Sequence, residues 1–175
     1  KCYCLRRMPL HLRKHIVDVP DFPKPGILFR DITPLLAHAF AETIAAMNGL
    51  LTEQEWANIE VISGVESRGF VLAAALAQLR GKGFVPVRKK GKLPPPVVDV
   101  EYSLEYGSGV LEMQTGKGRL LLVDDVLATG GTLKGAADLC KKAGFDVQYL
   151  AVLIDLKLIP ELRWEDKLTR TVITY

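Results

Sequence analysis

Cysteine is scarce in this sequence, and the three present (Cys2, Cys4 and Cys140) cannot pair completely. An odd count with no disulfide framework points to a reducing compartment, so a cytoplasmic protein is expected. Long apolar runs are also missing. The longest, Phe70 to Ala77, has eight residues, far short of the roughly 20 that a membrane-spanning helix needs. The basic N-terminus is not followed by the apolar stretch of a secretory signal, so none is expected. No internal repeat, low-complexity tract or Gly/Ser linker divides the chain, which reads as a single domain over residues 1–175.

What is present is ordinary in amount and uneven in placement. Apolar residues make up 49% and charged residues 25% of the chain, a balance that excludes intrinsic disorder. The net charge is +3. Five cations and no acid fall within residues 1–15, and Arg88-Lys89-Lys90-Gly91-Lys92 adds four more; without those nine the body carries −6. A protein that grips a nucleic-acid backbone spreads its basic face over the whole domain. Two short basic blocks on an acidic body point to a small anion and to no nucleic-acid partner. Cys2, Cys4, His11 and His15 are a loose metal-like set. Cys-x-Cys followed by His-x3-His is not a common structural zinc spacing, and no zinc is assigned there.

Apolar, β-branched runs alternate with helical stretches. Strands are expected at Ile59–Ser63, Phe84–Val87, Arg119–Asp124, Val147–Ile154 and Thr171–Tyr175. A helix with Ser67 as N-cap is expected to run to Arg80, where Gly81 and Gly83 end it. Gly131–Ala143 reads as an amphipathic helix with Leu133, Ala136, Ala137, Cys140 and Ala143 on one stripe and Gly144 as its stop. Thr33-Pro34 reads as the N-cap and first position of a helix reaching about Leu51. Continuous apolar strands alternating with helices predict an open, mostly parallel twisted α/β sheet flanked by helices. Its ligand belongs beyond the carboxyl ends of the strands. Two regions break the alternation. Pro20, Pro23, Pro25 and Pro34 keep residues 18–34 largely extended, and Gly91 to Gly118 predicts a mobile hairpin or lid.

The richest chemistry lies in Leu121–Leu133, LLVDDVLATGGTL. An apolar strand ends in Asp124 and Asp125. Ala128, Thr129, Gly130, Gly131 and Thr132 then lead into a helix. Glycines let several N–H groups turn toward one point, the helix start adds positive potential, and the threonine hydroxyls can donate further bonds. These make a phosphate cradle that is neither a Walker loop nor a dinucleotide fingerprint. Carboxylates beside it suit the hydroxyls of a ribose phosphate, and a hydrated Mg²⁺.

This segment closely resembles the phosphoribosyl-diphosphate signature of the type I phosphoribosyltransferases. Further stretches resemble the adenine-specific members of that family: DFPKPGILFRD at 21–31, ESRGF at 66–70, VRKKGKLP at 87–94 and YSLEYG at 102–107. In order and spacing they cover about residues 18 to 155. The resemblance implies that family's fold, with a small N-terminal hood over residues 1–33 and a lid over 91–118. It implies transfer of a 5-phosphoribosyl group from phosphoribosyl diphosphate to N9 of adenine, giving AMP and diphosphate with Mg²⁺ present, in a homodimer. The same enzyme chemistry on another purine base, or a non-catalytic phosphoribosyl-diphosphate-binding regulator, are the competing readings.

The resemblance assigns roles residue by residue. Arg68, with Ser67 beside it, Arg88 and Lys92 are expected on the diphosphate, while Lys89 and Lys90 also suit a solvated loop. Asp124 and Asp125 are expected on the ribose hydroxyls, touching Mg²⁺ through water rather than directly. Glu105 matches the catalytic carboxylate, which hydrogen-bonds N7 and so raises the nucleophilicity of N9; by itself it reads as an exposed strand glutamate. Leu28, Phe29 and Arg30 match the adenine-recognition stretch, although Leu28 also suits an apolar anchor for the arm. Tyr102, Tyr106 and the arm are expected to contribute to the dimer interface. Pro95 stands where the family more often has glycine.

Overall fold

The computed structural model describes residues 8–104 and 107–175, which fall into two compact units, one ending at Gly49 and one running from Leu50 to Tyr175. In the first unit, helix α1 (Met8–Arg13) precedes two short antiparallel strands, β1 (Val17–Pro20) and β2 (Leu28–Asp31). Of the proline-rich stretch expected to be extended, only 17–20 and 28–31 are strand; Pro23 and Pro25 lie in the turn between them, where Asp21 (φ 56°) and Gly26 (φ 85°) take left-handed backbone, and Pro34 falls in the next helix. Asp18 lies opposite Arg30 in this ladder, and their side chains form an ion pair.

The helix expected from Thr33 to Leu51 is two helices, α2 (Thr33–His38) and α3 (Phe40–Asn48), broken at Ala39 (φ −139°). Thr33 is already the first helical residue rather than the N-cap. The Asp31 carboxylate supplies the missing acceptor, taking the Thr33 N–H at 2.9 Å and its hydroxyl at 2.6 Å.

The second unit opens with a short helix the sequence reading missed, α4 (Glu53–Ala57). Its signal is legible in Thr52-x-x-Glu55, a capping box in which each residue bonds the other's backbone N–H. Arg170 reaches the same Glu55 carboxylate through two nitrogens, at 2.9 and 2.6 Å. The Arg170 guanidinium, aided by the Thr52 N–H, lowers the Glu55 carboxyl to about 2.

The remaining elements are β3 (Val61–Val65), α5 (Arg68–Arg80), β4 (Gly83–Lys89), β5 (Val97–Leu104), β6 (Gly107–Gln114), β7 (Gly118–Leu127), α6 (Gly131–Lys142), β8 (Phe145–Asp155), β9 (Arg163–Trp164) and β10 (Lys167–Thr174). They form a sheet of order β5-β6-β4-β3-β7-β8-β10-β9. The five central strands from β4 to β10 run parallel, and antiparallel pairs close both margins. Within the stretch expected as a hairpin or lid, β5 and β6 pair antiparallel as strands of the main sheet, with Leu111 and Met113 buried. Tyr102 is buried too, packed on Gly109 and Gly135 within the apolar core.

Side chains along a strand alternate between faces. Val61, Val65, Leu120 and Leu122 join Leu133, Ala136 and Cys140 of α6 in one apolar cluster. Gly64, of the opposite parity, faces Gly69 and Ala73 of α5. The two helices thus cover opposite faces, and the expected stripe on α6 is the buried one. Gly81, at φ +61°, ends α5, and Gly144, at φ +102°, follows the end of α6.

Candidate active site

Three strand-to-helix or strand-to-turn junctions of the second unit build the site. At the end of β3 the chain passes through Glu66 and Ser67 into α5. Ser67 occupies the N-cap position without a side-chain cap bond, so its hydroxyl is not spent on the helix. Arg68, the first helical residue, extends its guanidinium to Asp125, with Nε 2.6 Å from Oδ2. The helix comes this near to β7 because Gly69 has no side chain. A Cβ there would lie 3.1 Å from the Val123 carbonyl and 3.0 Å from an Asp124 carboxylate oxygen.

Strand β7 does not stop at the carboxylates, as the sequence pattern suggests. It continues through Asp124 and Asp125 to Leu127, because β8 pairs with it as far as Asp155. Both acids are consequently buried. Asp124 accepts the Asp125 N–H at 2.9 Å. Burial first, then the neighbouring Asp125 charge, pushes the Asp124 carboxyl well above the ordinary aspartate range, with Arg68 opposing.

Beyond β7, Ala128 to Gly130 turn into α6. Gly130 sits in the left-handed region at φ +84°, and a Cβ there would meet Leu162 at 2.6 Å and Ile159 at 3.2 Å. No side chain caps α6. The N–H groups of Gly131, Thr132 and Leu133 belong to the first turn and have no intrahelical acceptors. The turn is thus held from outside by the loop after β8, and its donors are available to an anion.

The third junction is the turn after β4. Arg88 donates Nε to Glu66 at 3.3 Å and Nη1 to the Lys92 carbonyl at 3.3 Å. Glu66 also accepts the Lys89 N–H at 3.0 Å and has the Lys92 ammonium 3.9 Å away. Burial works against its charge, but the Lys89 N–H and the Arg88 guanidinium outweigh it and hold the carboxyl below its ordinary value. Glu66 thereby ties the β3–α5 junction to the basic turn, a role that nothing in the sequence signalled.

A family model for the phosphoribosyl transferase domain matches residues 33–172. The adenine phosphoribosyltransferase of Bdellovibrio bacteriovorus is 47% identical over 166 residues, which cover 95% of this chain and all of that protein. The chain belongs to the adenine phosphoribosyltransferase family. Its counterpart from Thermotoga maritima is also 47% identical, over 95% of this chain and 98% of that protein. Among solved structures, the adenine phosphoribosyltransferase of Rhodothermus marinus superposes with a TM-score of 0.85 at 40% identity, covering 97% of this chain and 99% of that one. The Saccharomyces cerevisiae enzyme, solved with adenine and an imino-altritol bisphosphate, gives 0.81 at 33% identity, covering 89% and 92%. The sheet and its flanking helices are those of the type I phosphoribosyltransferase fold.

Of the site residues expected from the sequence, Arg68, Asp124 and Asp125 stand together, and Arg88 and Lys92 meet around Glu66. Glu105 and Tyr106 lie outside the described residues, as do Cys2 and Cys4. Leu28, Phe29 and Arg30 belong to the first unit, on β2. Leu28 is 46% exposed. Phe29 meets Phe22 edge to face at 5.1 Å. His11 and His15 are ring neighbours at 5.4 Å.

Proposed function

We propose that this chain transfers the 5-phosphoribosyl group of phosphoribosyl diphosphate to N9 of adenine, forming AMP and diphosphate in a purine-salvage reaction. The observation that carries this reading is the convergence of Arg68 and the two buried aspartates at the carboxyl ends of β3 and β7, next to the uncapped start of α6. In the reaction the C1–O bond to diphosphate breaks as the bond from N9 to C1 forms. Positive charge develops on the ribose and negative charge on the leaving group. The N–H groups at the start of α6 and the hydroxyls of Thr129 and Thr132 suit the 5-phosphate. Arg68, Arg88 and Lys92 suit the diphosphate. Asp124 and Asp125 accept bonds from the ribose hydroxyls and face the cationic ring.

Magnesium fits this donor set. It favours oxygen ligands, keeps several waters, and binds through one or two carboxylates plus substrate phosphates. Asp124 and Asp125 would hold it through water, and it would offset diphosphate charge. Glu105 is assigned to adenine N7, where its carboxylate takes the imidazole proton as N9 bonds to C1, and Phe29, with backbone groups of Leu28 and Arg30, to the purine ring and its edge. One experiment tests the reaction and the role of Glu105. Incubation with phosphoribosyl diphosphate, Mg²⁺ and each purine base should yield AMP from adenine only, and Glu105→Ala should lower kcat by about 10²–10⁴-fold. No AMP from adenine overturns the assignment, and full activity in the variant overturns the role of Glu105.

We also place the chain in the cytoplasm as a homodimer. Cys140 is a buried thiol pushed up to about 12 by burial. No helix among the described residues is long and apolar enough to cross a membrane. Helix α5 is apolar on nearly every face, yet its outer side leaves Val71 44% and Leu79 56% exposed, with Phe84 of β4 also exposed. A helix apolar all round is normally buried all round, and a second copy supplies the cover. Light scattering should give the mass of two chains, with Val71→Glu shifting it to one. A monomeric parent protein rejects the dimer.

A further inference from the structure

Glu112 on β6 is 3% exposed, although it is a carboxylate. It lies opposite Arg88 in the β4–β6 ladder. One of its oxygens accepts two consecutive backbone N–H groups, from Lys92 at 2.6 Å and Leu93 at 2.7 Å. The Gly91 N–H is the largest of the influences that hold its carboxyl below the ordinary value, opposed by burial and followed by the Lys92 and Leu93 N–H groups. Three successive N–H groups around one oxyanion make a nest whose anion is built into the chain. Such a nest fixes the backbone of the turn and leaves its side chains to act elsewhere.

The two ends of the basic turn are thus held by different carboxylates. Glu66 takes the Lys89 N–H and the Arg88 Nε, and Glu112 takes the N–H groups beyond Gly91. Between them, Gly91 turns through the left-handed region at φ +85°, and Lys90 is drawn off to Asp99 at 2.8 Å. The side chains of Arg88 and Lys92 both reach Glu66, and the Arg88 guanidinium also lies 5.9 Å from the centre of the Phe70 ring of α5.

We propose that Glu112 is a positioning residue for phosphoribosyl diphosphate: its carboxylate holds the 91–93 backbone so that Lys92 and Arg88 meet the diphosphate. It does not touch substrate itself. The proposal rests on the phosphoribosyl-transfer reading for its kinetic consequence, but not for its effect on binding of inorganic diphosphate.

Glu112→Gln keeps the shape and removes the charge. Hydrogen bonds to a charged group are about twice as strong as neutral ones, so the turn should loosen without unfolding, raising KM for phosphoribosyl diphosphate about tenfold. The affinity for inorganic diphosphate, read by titration calorimetry, should fall by the same factor. The KM for adenine and kcat should stay within about twofold, as expected when only ground-state binding is lost. Glu112→Asp retains the charge but shortens the reach, and should show a smaller loss of diphosphate affinity at unchanged Tm. It decides the matter if the glutamine variant fails to fold. Glu53→Gln, which breaks the exposed pair with Arg80, is the structural control and should leave diphosphate affinity alone. Unchanged diphosphate affinity in both Glu112 variants overturns the proposal, and so does an equal rise in both KM values. A parent protein that binds diphosphate but makes no AMP rejects the transfer reading while leaving the binding test of Glu112 intact.

Discussion

Asp124→Asn is expected to make the protein more stable and nearly inactive at the same time. Asp124 is buried beside a second carboxylate, and both circumstances raise its carboxyl above the ordinary range. A carboxyl raised in the folded state binds its proton more tightly folded than unfolded. Its contribution to stability is therefore complete below the unfolded value of about 3.9 and is lost as pH rises through the folded value. Asparagine carries no charge at any pH, and its carbonyl oxygen can still accept the Asp125 N–H that Asp124 accepts at 2.9 Å. The variant should gain about 0.5–2 kcal/mol near pH 8, the usual size of a single stabilising change. That corresponds to about 2–4 °C in Tm per kcal/mol for a chain of this length. At pH 4 and below the gain should shrink toward zero. AMP formation should fall by about 10²–10³-fold, because an amide offers no negative charge to the cationic ribose. Thermal melts at pH 8 and pH 4, alongside steady-state rates, check both halves. A lower Tm at pH 8 would show that Arg68 and the substrate-free site already compensate the charge.

Gly64→Ala should be among the most damaging single-methyl changes in the chain. An added Cβ would lie 2.7 Å from the Gly69 carbonyl oxygen, 2.8 Å from the Ala73 Cβ and 2.9 Å from the Gly69 carbonyl carbon. Two of these are backbone atoms, which cannot rotate away, so the strand and helix must separate. Overpacking of this kind costs about 1–3 kcal/mol. The separation also carries Arg68, next to Gly69, away from Asp125, now 2.6 Å distant. A misplacement of about 1 Å in a reacting site can cost on the order of 10²-fold in rate. The expected result is a lower Tm together with a raised KM for phosphoribosyl diphosphate. Denaturant unfolding and kinetics on the same preparation measure both, and a variant with parental stability would mean that α5 is not seated on Gly64.

The parts of the site that were legible are those whose chemistry is local. Thr129-Gly130-Gly131-Thr132 is readable because a tight turn into a helix needs glycine at the turn, and a phosphate needs donors, within a few residues. Arg68 is readable for the same reason, standing at another strand-to-helix turn. Glu112 was not legible. Between Leu111 and Met113 it looks like an outward strand residue, and its partners are 19 and 20 residues away. Glu66 was equally silent, since Arg88 is 22 residues distant and meets it only because β3 and β4 are neighbours. The cover over Gly130 comes from Ile159 and Leu162, in a loop with no pattern of its own.

By itself, then, the sequence determined the alternation of strands and helices, the phosphate cradle, the cations and acids available to it, and through its motifs the family. Those follow from propensity, periodicity and turn chemistry, which act over a few residues. Only the tertiary structure decided which acid meets which cation: Asp125 with Arg68, Glu66 with Arg88, Glu112 with the turn that carries Lys92. It also anchored the second basic block by Glu66 and Glu112 beside the site, because strand order and register place distant side chains within bonding distance and no local rule encodes that order.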